Sequence, residues 1–206
     1  MGNQEQFWDK IAGKADDTDK PLGETAQAIV AAAKTVLKPD MTVIDYGCGW
    51  GGMTVEIAPS VRTVHAVDIS GNMLALAKQK AALREVGNIA FHHGDLSAVP
   101  LEPATADALL AFNVLHLVDD SAQTLAQIAA LLRPGGLLIA STACIRERWS
   151  LMRIATRALM VTRILPHMNR FDIAGYERLI ANAGFEIMQS TSLTALPDQL
   201  VVARKT

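Results

Sequence analysis

The stretch Met41-Thr-Val-Ile-Asp-Tyr-Gly-Cys-Gly-Trp-Gly-Gly-Met53 joins a short apolar run to four glycines. Val43 and Ile44 follow the turn at residues 39–40 and are typical of a buried strand in a parallel sheet. Residues 53–57 then predict the first turn of a helix. Glycines between a strand and a helix allow backbone to approach a ligand closely, because a Cβ would fill the gap or forbid the dihedral angles. The stretch therefore predicts a ligand-binding loop on an α/β sheet.

The overall composition fits a soluble α/β protein. At 206 residues, half of them hydrophobic, the chain is long enough for one open sheet with a sizeable core. The net charge of −2 gives no global excess that would attract nucleic acid. Cys48 and Cys144 lie outside any metal-ligand spacing and are interpreted as free thiols of a reducing compartment. The N-terminus lacks the pattern of a signal peptide, and the longest apolar stretch, 104–118, is too short to cross a bilayer. We therefore expect a cytoplasmic protein with neither a metal site nor a nucleic-acid partner.

Apolar periodicity predicts seven strands that alternate with helices as far as a final pair of adjacent strands. Such alternation is typical of a doubly wound, mostly parallel sheet, here with its last strand antiparallel. Ser70 and Asp172 are predicted helix N-caps, and the run Arg133-Pro-Gly-Gly136 is predicted to stop a helix. The first predicted strand contains residues 43–44, and the other six cover 61–67, 89–93, 106–112, 137–142, 185–193 and 199–205. The predicted helices cover 3–14, 24–37, 53–58, 72–86, 121–132 and 173–183.

Carboxylates beside the glycines discriminate between candidate ligands. The run Gly47-Cys-Gly-Trp-Gly-Gly52 satisfies the dinucleotide pattern Gly-x-Gly-x-x-Gly, which also fits a turn without any ligand. Asp68 ends the next strand at the spacing where a carboxylate reaches ribose hydroxyls; the alternative is a cap for the following helix, a role that Ser70 fills better. Asp45, directly before the glycines, would repel a pyrophosphate at a helix N-terminus and would favour a ligand with an ammonium and a sulfonium. The residues thus favour S-adenosylmethionine over NAD.

Four motifs, in order along the chain, give a family resemblance. Asp45-Tyr-Gly-Cys-Gly-Trp-Gly51 resembles the first motif of the class I S-adenosylmethionine-dependent methyltransferases, and Asp68-Ile69 resembles their second acidic position. Gly94-Asp95-Leu96 is similar to their adenine-contacting motif, and Leu132-Arg-Pro-Gly-Gly136 is similar to the turn before strand five. The resemblance runs from Phe7 to the C-terminus, within the small-molecule group that includes quinone-biosynthesis enzymes. It implies a Rossmann-like methyltransferase fold and S-adenosylmethionine as cofactor.

The resemblance implies contacts to the methionine part of the cofactor. Gly47, Gly49 and Gly51 would let the backbone pass beneath it. Asp45 would orient it through its amino group, directly or through water. Asn113, at the end of strand four, stands where the family offers a backbone carbonyl to the methionine ammonium.

The resemblance also implies contacts to the adenosine part. Asp68 would accept hydrogen bonds from both ribose hydroxyls, and Ile69 and Met73 would pack on the adenine. Asp95 would accept from the exocyclic amine, while the Leu96 backbone amide would donate to the ring.

The chain is expected to form one domain over residues 1–206, in which residues 1–38 are a helical cap. Relatives commonly have an aromatic–Asp pair near the end of the first helix, where this chain has Ala15-Asp16. Phe7 or Trp8 is therefore the candidate for closing over the cofactor.

Methyl transfer from a sulfonium needs an in-line nucleophile that is held close and kept dry. Positioning of this kind contributes on the order of 7–11 kcal/mol, and a general base is needed only if the acceptor must lose a proton. We therefore expect transfer of a methyl group to a small, partly apolar metabolite, with no metal. Two alternatives from other classes stay open: an NAD(P)-dependent oxidoreductase, and a non-catalytic module that binds the cofactor or a membrane surface.

Histidines are the candidates for acid–base chemistry. His116 follows strand four and is a candidate base or acceptor ligand; the alternative is a structural histidine at a strand–helix junction. His92 and His93 are interpreted as a strand pair rather than as catalysts. Cys144 follows strand five and is interpreted as a buried free cysteine, with a pocket position as its alternative.

The segment 145–170 carries six arginines against one acid, Glu147, with apolar residues between them. The family often places its acceptor-binding insertion at this point, so the segment is expected to be an acceptor-side insertion. A basic amphipathic helix at a membrane surface is a second interpretation, and a solvated helix pair packed on the sheet is a third.

Overall fold

The computed structural model describes residues 2–13, 21–144, 168–193 and 198–206. The polar segment 14–20 and most of the predicted insertion, 145–167, lie outside the described residues.

The described residues form six α-helices and seven strands, with short 3-10 turns at Ala58–Ser60 and Leu96–Ala98. The helices are α1 (Gly2–Ala12), α2 (Glu24–Val36), α3 (Gly52–Ile57), α4 (Gly71–Leu83), α5 (Ser121–Leu131) and α6 (Ile173–Asn182). The strands are β1 (Thr42–Tyr46), β2 (Thr63–Asp68), β3 (Ile89–His93), β4 (Ala106–Phe112), β5 (Leu132–Ala143), β6 (Phe185–Ser192) and β7 (Asp198–Lys205).

The seven strands form one sheet in the order β3-β2-β1-β4-β5-β7-β6. The pairings among β1 to β5 are parallel, and β7 runs antiparallel to both β5 and β6. This arrangement confirms the predicted doubly wound, mostly parallel sheet with an antiparallel last strand. The chain order reverses direction between β1 and β4, and open α/β sheets bind ligands at the carboxyl ends of strands beside such a reversal.

Both faces of the sheet are buried, which explains why its central strands are continuous apolar runs rather than alternating ones. All five residues of β1 are buried. One face packs against α2 and α3, with Ile29 and Ile57 in its core. The other packs against α5 and α6, with Leu125 and Tyr176 in its core.

Local capping follows the sequence closely. Ser70 accepts a hydrogen bond from the Met73 amide at the start of α4, and Asp172 accepts from the Gly175 amide at the start of α6. Both predicted N-caps are confirmed. Each side-chain oxygen satisfies an amide that has no partner within its own helix.

The main difference lies at β5, which was predicted to begin at Leu137 and begins at Leu132. Ala106 pairs with Leu132 and Ala108 pairs with Leu137, so the intervening residues make an excursion within the strand rather than ending it. Gly135 adopts a φ of 74° in this excursion. Arg133 forms an ion pair with Asp107, with 2.7 Å between the Arg133 Nε and the Asp107 Oδ1. The Pro-Gly-Gly run thus bends the strand edge after α5 has ended.

Among the helices of the described ranges, none combines the length and the apolar character that crossing a membrane requires.

Candidate functional site

A cavity of about 230 Å³ opens at the carboxyl ends of β1, β2 and β4, beside the reversal of strand order. Its wall combines the glycine loop with the first residues after β2 and β4 and one face of α1. The lining residues are Gln4, Trp8, Tyr46, Gly47, Gly49, Trp50, Asp68, Ile69, Met73, Asn113, Val114, Leu117 and Val118.

The glycine loop follows a backbone path that side chains would obstruct. Gly47 has a φ of +71°, and a Cβ added there would lie 2.6 Å from Cγ2 of Val114. Gly51 has a φ of +78°, and its added Cβ would lie 2.8 Å from the Ala77 Cβ on α4. Gly49 also has a positive φ, yet nothing lies within 4 Å of its added Cβ, and the residue lines the cavity. Two of the glycines therefore make room for protein, and the third leaves room for a ligand.

Asp68 presents a carboxylate to the cavity at the end of β2. Its Oδ2 accepts from the Gly49 amide at 2.8 Å and its Oδ1 accepts from the Ser70 amide at 2.8 Å. Burial raises the pKa of this carboxyl, and the two backbone hydrogen bonds oppose that rise. Because an ionised carboxylate has about four acceptor positions, two remain for ligand hydroxyls.

Asp45 lies on the same strand as the loop but does not line the cavity. It is 3% exposed, and its Oδ2 accepts a hydrogen bond from the Thr54 hydroxyl at 2.6 Å. Burial raises its pKa to about 6, while the Thr54 hydrogen bond acts in the opposite direction. Asp45 therefore fastens the loop to α3, behind the cavity wall.

Helix α1 crosses the cavity and supplies Gln4 and Trp8 to its wall. The Asp9 carboxylate accepts from the Ser70 hydroxyl at 2.5 Å, which ties α1 to the start of α4. At the other side of the cavity, the side-chain amide of Gln4 donates through Nε2 to the Leu117 carbonyl at 3.1 Å. The helix is thus attached on both sides of the opening.

Asn113 and the residues after it form the wall at the end of β4. Asn113 has a φ of 53°, a left-handed conformation that asparagine tolerates better than most residues. The backbone amide of Asn113 donates to the Ser141 carbonyl at 2.9 Å, which anchors the residue to β5. The turn directs Val114, Leu117 and Val118 toward the cavity.

Asp95 and Leu96 are not brought into the cavity wall. The Asp95 carboxylate accepts from the amide and the hydroxyl of Ser97 at 2.9 and 2.6 Å, and Leu96 is 4% exposed in the core. Asp95 is nonetheless close enough to the cavity residue Tyr46 for its charge to affect the pKa of the phenol. Burial raises the pKa of Tyr46 to about 12, and the negative charges of Asp95 and Asp68 contribute to the rise.

His116 also lies outside the cavity wall. Its Nδ1 is 2.9 Å from the Thr142 hydroxyl, and its carbonyl accepts from the Asn169 amide at 2.7 Å. Burial lowers the pKa of His116 to about 4, so the imidazole is neutral at pH 7. Cys144 is a buried cysteine that forms no disulfide.

Comparison with known proteins finds similarity to methyltransferases over about half of the chain. Residues 43–136 match the family model described as a methyltransferase domain. The chain is 34% identical over 105 residues to the malonyl-[acyl-carrier protein] O-methyltransferase of Halalkalibacterium halodurans, covering 48% of this chain and 38% of that protein. It is 32% identical over 106 residues to the demethylmenaquinone methyltransferase of Bacillus mycoides, covering 50% of this chain and 45% of that protein. Residues 43–136, which hold the glycine loop, Asp68 and Asp95, are therefore similar to a methyltransferase domain.

The fold of the chain is shared with solved structures. It superimposes on a geranyl diphosphate methyltransferase, solved in complex with GPP and sinefungin, with a TM-score of 0.69 and 18% identity. The superposition covers 88% of this chain and 76% of that one. The chain spans less than half the length of the two sequence relatives.

Several cavity residues were missed by sequence reasoning. Tyr46 and Trp50 flank the glycines, and a large aromatic residue inside a glycine loop is a signal that could have found them. Gln4, Val114 and Leu117 carry no such signal, because their places in the wall depend on how α1 and the residues after β4 pack in three dimensions.

We expect Gly47→Ala to destabilise the fold more than Gly49→Ala. Both place alanine at a positive φ, which costs about 1–2 kcal/mol, but Gly47→Ala alone also meets Val114. Adding Val114→Ala should restore part of the stability lost in Gly47→Ala and none of that lost in Gly49→Ala. Urea unfolding of the single and double variants measures this coupling; equal losses without coupling to Val114 would contradict the packing described.

We expect the stability difference between the unaltered protein and Asp45→Asn to depend on pH. The folded pKa of about 6 exceeds the ordinary value of 3.8, so the folded state binds more protons than the unfolded state between these values. The stability that protonated Asp45 contributes is therefore present near pH 4 and lost as pH rises through 6, by on the order of 2–3 kcal/mol. Urea unfolding at a series of pH values checks this. Thr54→Val removes the opposing hydrogen bond and should move the loss to higher pH, whereas a difference independent of pH refutes the assignment.

Proposed function

We propose that this domain transfers a methyl group from S-adenosylmethionine to a small, partly apolar metabolite by in-line displacement. The observation that carries the proposal is Asp68, a cavity carboxylate whose oxygens are both anchored by backbone amides, beside an open glycine. A fixed acceptor pair of this kind suits the two hydroxyls of a ribose.

The wall of the cavity suits S-adenosylmethionine better than a dinucleotide. Among the described lining residues Asp68 is the one charged side chain, and no lysine or arginine accompanies it. A pyrophosphate would therefore meet a negative charge without a positive partner, whereas an ammonium and a sulfonium are attracted. Ile69 and Met73 supply apolar surface for the adenine, and Gly49 leaves space for the ligand.

The residues that would hold the cofactor follow from their places in the wall. Asp68 would accept from the ribose hydroxyls, Gly47 and Gly49 would lie beneath the methionine part, and Asn113 would offer its backbone carbonyl to the ammonium. When bound, the cofactor supplies a methyl group on a sulfonium that is itself a good leaving group. The chain then has to orient the donor and exclude water, and Trp8 on α1 covers the cavity for that purpose.

Four predicted cofactor-binding residues are retained with modified roles. Asp45 and Gly51 would act from behind the wall by fixing the loop, since neither lines the cavity. Asp95 and Leu96 are proposed to reach the adenine edge from the turn after β3, close to Tyr46.

The acceptor is proposed to lie on the side of His116 and Thr142, at the carboxyl ends of β4 and β5. The imidazole is neutral at pH 7, as a general base must be, while burial, which lowers its pKa to about 4, disfavours the protonated form. The Thr142 hydroxyl lies 2.9 Å from Nδ1 and fixes the orientation of the ring. Residues 145–170, which follow β5 directly, are proposed as the acceptor-side insertion.

The proposal includes one domain over residues 1–206, with 1–38 as the helical cap. It also places the protein in the cytoplasm, since neither Cys48 nor Cys144 forms a disulfide, as is usual in a reducing compartment. A small-molecule acceptor, rather than nucleic acid, is the proposed partner of the site.

We expect Asp68→Ala and Asp68→Asn each to weaken S-adenosylmethionine binding at least about tenfold, because a partly buried charged acceptor is lost. Isothermal titration measures the dissociation constant. Thermal unfolding of each variant checks that the protein stays folded without the Asp68 carboxylate. Asp95→Ala is the matched comparison. The Asp95 carboxylate accepts hydrogen bonds from Ser97 and does not line the cavity, so we expect a smaller loss of affinity for S-adenosylmethionine. An unchanged constant in both Asp68 variants, or micromolar NAD binding without any response to the methyl donor, would overturn the proposed function.

We expect His116→Gln to lower turnover by about 100-fold or more, the scale of a general base, while donor affinity stays unchanged. Formation of S-adenosylhomocysteine in the presence of a metabolite extract supplies the assay, and any turnover also excludes a non-catalytic module. Thr142→Val keeps the imidazole but removes its hydroxyl partner, and should lower turnover less. Full activity of His116→Gln would assign that residue to the structure alone.

A further inference from the structure

Two imidazoles meet on the face of the sheet near its edge. His65 on β2 and His92 on the edge strand β3 are diagonal neighbours, since His65 is level with Ala90 and Val67 is level with His92. Nδ1 of His65 lies 3.1 Å from Nε2 of His92. The rings are nearly parallel, with 16° between their planes and 5.2 Å between their centroids. Both side chains are half-buried, so solvent reaches the pair.

The separation of the two nitrogens suits coordination to a single metal ion. Metal–imidazole bonds are about 2.0–2.1 Å long, which places two neighbouring ligand nitrogens about 2.9–3.4 Å apart for bond angles between 90° and the tetrahedral value. The observed 3.1 Å lies within that range. The strands hold the two histidines as diagonal neighbours on one face of the sheet. Because their nitrogens now face each other in a hydrogen bond, the rings would rotate on metal binding to direct both lone pairs at one point.

The charge state of the pair also suits metal binding, because only a neutral imidazole is a ligand. Burial lowers the pKa of both histidines, and for His65 the neighbouring imidazole lowers it further. Both rings are therefore neutral at pH 7. In the hydrogen bond one ring donates its N–H to the other; on metal binding that proton moves to the second nitrogen of its own ring, and no proton is lost.

We propose that His65 and His92 form a two-ligand site for a divalent transition-metal ion such as Zn²⁺ or Ni²⁺. Imidazole is the ligand that zinc, nickel and copper share, whereas magnesium and calcium select oxygen. In the described part of the chain, no cluster of three or more histidine, cysteine or carboxylate side chains surrounds a common point. Water therefore fills the other positions, and the site is an exchangeable one rather than a permanent structural centre.

A metal at this site would link the edge strand to the sheet. Strand β3 pairs with β2 alone, so a coordination bond from His92 to a metal held by His65 adds a second attachment. The linked strands are those that end at Asp68 and at the Gly94-Asp95 turn, so the metal would stiffen the border of the cavity described above. The inference does not depend on the proposed methyl transfer.

Titration of the tag-free protein with Zn²⁺ at pH 7.5, followed by imidazole ¹⁵N chemical shifts and by calorimetry, tests the site. His65→Gln and His92→Gln should each weaken Zn²⁺ binding at least about tenfold, since a tenfold change in Kd represents only 1.4 kcal/mol and a coordination bond contributes more. His93→Gln is the matched control, because His93 is exposed and its Nε2 lies 2.9 Å from the Ile69 carbonyl instead. This variant should bind Zn²⁺ as the unaltered protein does.

A second measurement separates the site from adventitious binding elsewhere. Zn²⁺ should raise the thermal midpoint of the unaltered protein and of His93→Gln, since a ligand that binds only the folded state stabilises it, and should leave both the His65→Gln and His92→Gln midpoints unchanged. Mg²⁺ should raise none of them. Equal Zn²⁺ affinity in the unaltered protein and in the double variant His65→Gln/His92→Gln would overturn the proposal.

Discussion

The site depends on the close packing of the glycine loop between two other segments. Val114 occupies the space where Gly47 would carry a Cβ, and Ala77 of α4 occupies the corresponding space at Gly51. The loop is therefore the contact surface through which the end of β4 and helix α4 are brought to the end of β1. Asp68 adds a hydrogen bond from β2 to the middle of the loop at Gly49. Four segments that are distant in sequence meet there because Gly47, Gly49 and Gly51 have no side chains.

The two carboxylates beside the loop have different tasks. Asp45 was expected to exclude a pyrophosphate and to attract an ammonium, yet it lies behind the wall with Thr54 as its partner. Asp68 lies at the wall and is the charged group that a ligand meets first. The preference for a cationic ligand therefore survives, but the charge that produces it belongs to β2 rather than to β1. Asp45 instead couples the loop to α3, and burial of its carboxylate makes that coupling sensitive to protonation.

Sequence reasoning predicted the sheet because each central strand is an apolar run that ends in a polar or glycine residue. It placed the start of β5 too late, since Pro134 and the glycines after it normally end a strand; tertiary pairing of Leu132 with Ala106 overrode that local preference. The glycine loop and Asp68 could be singled out from the sequence because the glycines and the carboxylate occur at a characteristic spacing. Gln4 could not be found, because its position depends on the contact of Asp9 with Ser70, across 61 positions of sequence.

The wall that α1 supplies differs physically from the rest of the cavity. The glycine loop and Asp68 lie at the ends of β1 and β2, where the strand residues are buried. Helix α1 is attached to the cavity borders by hydrogen bonds of Asp9 and Gln4. Its residues Ile11 and Asp9 are at least partly exposed. Because water competes for hydrogen bonds at such partly exposed positions, we expect α1 to be held less firmly than the glycine loop and Asp68, which are tied to buried strands by backbone amides.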